Sequence, residues 1–130
     1  MLNHLKTYFK LLMCLFLLTV NSCNETPSKD ICVNIILLKM CLDDSFLSIK
    51  QNLIREKIEL YYEDSHEYNN NFSMYYFTLD DNAIVELLFN ENQKLVQIKI
   101  SSDNNYIEKI IKQNEKNIFK RETNYLILKR

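Results

Sequence analysis

The chain contains no Gly and no Trp, a single Pro (Pro27) and a single Ala (Ala83) among its 130 residues. The absence of Gly excludes several machines at once. A P-loop, a dinucleotide fingerprint and a strained nucleophile elbow all need backbone that only Gly supplies cheaply. It also forces the turns to reach unusual backbone angles with other residues, and Asn, Asp and Ser are the expected ones. Histidine is nearly as scarce, with only His4 and His66. Neither charge sign prevails: 16 Lys plus Arg stand against 17 Asp plus Glu, which excludes the strongly basic, nucleic-acid-binding class. The favoured residues (Asn, Lys, Ile, Leu) have AT-rich codons and the missing ones GC-rich codons. Base composition therefore accounts for runs such as Asn69-Asn70-Asn71.

What is present is apolar enough to fold, at 47% hydrophobic and 25% charged, and long enough for one domain. Residues 1–22 hold no acid. They carry Lys6 and Lys10, then an apolar run from Leu11 to Val20. A basic start followed by about ten apolar residues predicts a secretory signal peptide over residues 1–22. As a helix the run would reach roughly 15 Å, half of a bilayer core.

The run ends in Val20-Asn21-Ser22-Cys23, which resembles the lipobox of bacterial lipoproteins. The resemblance implies cleavage before Cys23, acylation of its sulfur and lodging in the bacterial cell envelope, facing the periplasm or in the outer membrane. Plain cleavage after Ser22 is the alternative. It would leave Cys23, Cys32 and Cys41, an odd number in an oxidising compartment, whereas lipidation leaves two. Cys23 is thus the expected lipidation site and residues 23–30 a polar tether. Each buried acyl CH₂ adds about 0.8 kcal/mol of membrane affinity.

Residues 31–130 read as one small domain. Its charge is uneven: residues 30–103 have 13 acids and 6 bases (net −7), and residues 104–130 have 3 acids and 7 bases (net +4). Residues 31–42 are apolar without a period, which predicts a buried strand, with a short helix as second choice. Asp43 or Asp44 would cap a helix from about Ser45 to Lys57, with Phe46, Ile49, Leu53 and Ile54 on its apolar stripe. A short strand follows through Ile58, Leu60 and Tyr62. Then comes a β-meander of Phe72–Leu79, Ala83–Phe89 and Leu95–Ile100, with turns at 80–82 and 90–94. A second helix opens at Asn105, with Glu108 as capping-box partner, and Thr123–Lys129 is a last strand. The fold class expected is α+β: a single antiparallel sheet of four or five strands with two helices packed on one face.

Ser45-Phe46-Leu47-Ser48-Ile49, with Leu53 four residues on, and the stretch Phe89–Val96 are similar to small periplasmic lipoprotein domains, of the barrel-assembly and β-lactamase-inhibitor-like kinds. The resemblance spans about residues 43–100 and implies a fold class, not a function.

Few residues suggest chemistry. His66 lies among Glu63, Asp64 and Glu67 in a spacing that matches no zinc or calcium motif and reads as a solvated acidic loop. Cys32 and Cys41 stand nine residues apart. A disulfide needs a chain reversal between them, since a continuous strand would hold them roughly 30 Å apart. Without one they are two small apolar groups, and no CxxC exists for redox catalysis. Glu59, Glu63, Asp80, Asp81 and Glu86 are the carboxylates from which an acid–base pair could be drawn.

The aromatic cluster Tyr61-Tyr62, Tyr68 and Tyr75-Tyr76-Phe77 reads either as core packing or as a Tyr-rich sheet face that docks a protein. Tyr61, Tyr62, Tyr75, Glu63 and Asp64 are the candidate contact residues. The expected function is a membrane-anchored, non-catalytic protein-binding module with an envelope protein as partner. No cofactor, metal, nucleic acid or small-molecule substrate is expected. The alternatives are a periplasmic inhibitor or immunity protein, and a small hydrolase using paired carboxylates.

Overall fold

The computed structural model describes residues 29–64, 71–80, 83–115 and 118–130. The leader, the lipobox with Cys23, His66, Tyr68 and Asp81 lie outside the described residues. The ten elements are β1 (Cys32–Ile35), β2 (Leu38–Cys41), α1 (Phe46–Arg55), β3 (Tyr61–Glu63), β4 (Ser73–Leu79), β5 (Ala83–Phe89), β6 (Leu95–Ser101), α2 (Asn104–Gln113), β7 (Lys120–Arg121) and β8 (Tyr125–Lys129).

Six strands form one antiparallel sheet in the order β3-β4-β5-β6-β8-β7. Alternation, interrupted by a register shift at Leu88–Phe89, builds its inner face. Phe77 and Leu79, then Ala83, Val85, Leu87 and Phe89, then Ile98 and Ile100, then Leu126 and Leu128 are all buried, and the strand registers align them across the sheet. Onto that face pack α1 through Ile49 and Leu53 and α2 through Ile107 and Ile110, with β1–β2 contributing Val33, Ile35, Leu38 and Met40. β1 lies against α2 and β2 against α1, so the second layer is a hairpin flanked by two helices. Burying one apolar face of each element in a shared core is what makes a two-layer domain stable.

The expectation of a single sheet of four or five strands is overturned. The molecule is mostly β, with a two-stranded and a six-stranded sheet and two helices. The main reason lies in residues 31–42. They reverse at Ile36-Leu37 and pair with themselves, Val33 opposite Met40 and Ile35 opposite Leu38. The aperiodic apolar run is therefore two four-residue strands whose turn is itself apolar, and no polar or Gly signal marks it. The sixth strand of the large sheet is β7, two residues long and too short to carry a pattern.

Both helix starts differ from the expected caps. Ser45 caps α1, its hydroxyl accepting from the Ser48 N–H at 3.2 Å. Asp44 instead accepts from the Cys41 N–H at 2.8 Å. Asp103 caps α2 by accepting from the Tyr106 N–H at 2.8 Å, which leaves Glu108 to pair with Arg121. Ile54 is exposed rather than part of the buried stripe.

Among the described residues, five take positive φ in place of Gly: Ile36 (55°), Asp43 (72°), Lys57 (58°), Asp80 (49°) and Gln93 (57°). Asp appears twice among them, as turn chemistry favours, and Asn and Ser do not appear among the described residues. Lys57 occupies the left-handed position of a Schellman ending. Its N–H donates to the Ile54 carbonyl at 3.0 Å, and the Ile58 N–H donates to the Leu53 carbonyl at 2.9 Å. Tertiary packing holds a non-Gly residue there at a cost of about 1 kcal/mol. Asn90 shapes the β5–β6 turn through its side chain instead, accepting from the N–H groups of Asn92 and Lys94, both at 3.0 Å.

Candidate interaction surface

Adjacent residues on a strand point to opposite faces, and this splits both tyrosine doublets. The β3–β4 register sets Tyr61 opposite Tyr76 and Tyr62 opposite Tyr75. Tyr75 shares the inner face with Phe77. Its ring lies 4.6 Å from Phe46 and 5.8 Å from Phe89, so it is half-buried at the rim of the core. Tyr62 meets it edge-on at 5.4 Å and stays 61% exposed. Tyr61 and Tyr76 stack on the outer face at 5.4 Å. Offset stacking of this kind favours a defined ring geometry over free rotation.

No described helix or strand covers the outer face. One continuous row crosses it, running Tyr61, Tyr76, Glu86, Lys99 and Ile127 through the strand registers. Glu86 and Lys99 form an ion pair at 3.0 Å, and the Lys99 ammonium lies 5.0 Å above the Tyr125 ring. Beside the row, an open depression of about 490 Å³ is bounded by Tyr62, Glu63, Asp64, Tyr76, Ile84 and Glu86. Tyr76 belongs to the aromatic cluster read in the sequence but was not among the candidate contact residues. The signal for it was available: Phe77 and Leu79 mark the inner phase of the strand, so the residue before Phe77 must face outward.

The two tyrosines on β3, with Glu63 and Asp64, are all exposed. The Tyr61 hydroxyl donates to the Glu59 carboxylate at 2.7 Å. That bond, then slight desolvation and the Glu59 charge, raises the Tyr61 phenol above its ordinary value. Among the described residues no ion pair engages Glu59, Glu63 or Asp64. Of the carboxylates considered for acid–base work, Glu63 and Glu86 border the same depression. Glu86 is held by Lys99, Glu59 accepts from Tyr61, and Asp80 sits in the β4–β5 turn. No group of three or more His, Cys, Asp or Glu side chains among the described residues is arranged to hold a metal ion.

Cys32 and Cys41 face each other across the hairpin on its outward side and form a disulfide. The reversal at Ile36-Leu37 is what brings them together. Beside them Asn114, just past α2, clasps the outer rim of β1. Its Oδ1 accepts from the Asn34 N–H at 2.7 Å, and its Nδ2 donates to the Asn34 carbonyl at 2.9 Å.

No protein-family model, no curated protein and no solved structure matches the chain. Among the described residues, no helix is long and apolar enough to cross a membrane.

Proposed function

We propose that the chain is a lipid-anchored lipoprotein of the bacterial cell envelope and that its domain is a non-catalytic protein-binding module. The observation that carries the binding role is the β3 segment, where exposed Tyr61 and Tyr62 adjoin Glu63 and Asp64 at the border of an uncovered sheet face. Tyr combines a large apolar body with a polar tip at small entropic cost, which is why it concentrates in protein contact sites. The anchor rests on the lipobox-like Val20-Asn21-Ser22-Cys23. The non-catalytic reading rests on the scarcity of His, the absence of Gly loops and the engagement of Glu86 and Glu59 by neighbours.

Metabolic labelling with a palmitate analogue tests the anchor. Label is expected on the wild type and lost in Cys23→Ala; an unlabelled protein, or label surviving that substitution, overturns it. A photo-crosslinker at position 62 tests the binding role. A discrete adduct with an envelope protein is expected, and its absence in cells that express the protein overturns the module.

One observation favours a second reading, an inhibitor or immunity protein. An exposed acidic strand can enter a basic enzyme cleft. A toxin or hydrolase as the crosslinked species would support it, and an envelope-assembly protein would support a scaffold.

A further inference from the structure

We infer that the β3 edge accepts an extended, basic protein segment as a seventh strand of the sheet. This deepens the binding role proposed above and rests on it. Among the described residues, β3 is the last strand of the sheet and pairs with β4 alone. An uncovered edge presents main-chain donors and acceptors in a row, and strand addition is the interaction that row supports. Natural sheets usually blunt such edges with Lys, Pro, bulges or extreme shortness. The opposite edge of this sheet is blunted: β7 has two residues, Lys120 and Arg121, and both are ion-paired, to Glu122 and Glu108. β3 is itself only three residues long, but neither it nor the residues just before it carry the basic or Pro devices, since Ile58–Asp64 contains no Lys, Arg or Pro.

Charge selects the occupant. Glu59, Glu63 and Asp64 lie within one strand length, and no described cation pairs with them. Side chains of an added strand would alternate between the two faces. On the outer face they would meet Tyr61 and Glu63, and on the other Tyr62. Lysine or arginine at alternate positions finds a carboxylate or an aromatic ring on either side. A second copy of this chain is the competing occupant. The complementary edge it could offer is β7, whose two cations are already engaged by its own Glu122 and Glu108, so it brings little spare positive charge.

The test uses the purified full chain in neutral detergent and an eight-residue peptide of alternating lysine and valine, followed by fluorescence anisotropy. Two control peptides accompany it: one alternating glutamate and valine, and one of lysine and valine with alternate backbone nitrogens methylated. The lysine peptide is expected to bind about tenfold or more tightly than either control, and Glu63→Lys with Asp64→Lys should weaken it about tenfold. Equal binding of the methylated peptide would reduce the effect to charge and overturn strand addition. Undiminished binding to the charge-reversed variant overturns it too, as does no binding accompanied by self-association in sedimentation. Loss of the palmitate label or of the position-62 adduct would defeat the broader reading instead, so the two failures are distinguishable.

Discussion

The two ends of the six-stranded sheet are secured by different means. In the hairpin, α2 and the strands β7 and β8, covalent and polar ties accumulate. These are the Cys32–Cys41 disulfide, the Asn114 clasp on Asn34, and ion pairs joining Arg121 to Glu108, Arg130 to Asp43 and Lys29 to Glu115. Where β3 meets β4, aromatic contacts do the holding: Tyr61 on Tyr76, and Tyr62 on Tyr75. Single exposed ion pairs contribute little stability. Their consequence here is chemical, because they satisfy the charges of the β7 edge locally. The β3 edge keeps its carboxylates available. Rigid closure at one end and availability at the other is a division that suits a binding module.

The comparison can be broken at its firm end first. Replacing Cys32 and Cys41 together by Ala should lower unfolding free energy by about 2.5 kcal/mol, because the disulfide closes a short loop in the unfolded chain. Urea titration reads this directly, and a loss no greater than that of a β3 surface substitution would erase the contrast. Next in size, Asn114→Ala leaves the Asn34 amide without its partner and should cost roughly 1–2 kcal/mol in the same titration. Ile36→Gly should instead stabilise by about 1 kcal/mol, since a β-branched residue at φ 55° strains the hairpin turn. Ile36 is 40% exposed, so little burial is lost. An unchanged or lower midpoint would show that the turn is not strained.

The smallest effect sharpens the contrast at the open end. Hydrogen bonding to Glu59, the leading cause, raises Tyr61 above the ordinary phenol value of 10.0, and bonding to Glu122 likewise raises Lys120 at the other edge above 10.5. A raised folded value means that the protonated form is favoured by folding. The associated stability is present below about pH 10 and is lost as pH rises through the raised folded value. Ultraviolet titration of tyrosinate should show one ionisation moving back toward 10.0 in Glu59→Gln, and that same ionisation unmoved in Lys120→Met. A Tyr61 titration indifferent to Glu59 would remove the hydrogen bond as its cause.

Much of the large sheet was legible because its strands obey one rule. In Ala83–Phe89 and in Tyr75, Phe77 and Leu79 of the strand before it, alternate residues are aromatic or aliphatic and face the core. Both helices were legible from apolar spacing, but their caps were not. Asp43, Asp44 and Ser45 stand in line, and Asn104 follows Asp103, so every neighbour is a competent cap. The turn at Ile36-Leu37 was illegible because nothing in its chemistry announces a turn. The candidate contact residues were legible as a type and not as a surface. Tyr61, Tyr62, Tyr75, Glu63 and Asp64 share a composition, yet the structure separates Tyr75 and Tyr62 from Tyr61 and brings Tyr76 to the outer face.

The sequence by itself determined which residues seek burial, where the period is two and where it is near four, and which gly-dependent chemistries are ruled out. These are properties of single residues and their near neighbours. Tertiary structure alone decided that residues 31–42 fold back to form a disulfide, that a hairpin lies between the helices, and that among the described residues β7 and β3 form the two sheet edges. Those outcomes depend on contacts between residues distant in the chain, Asn34 with Asn114 and Glu108 with Arg121 among them. Local pattern does not encode such distances.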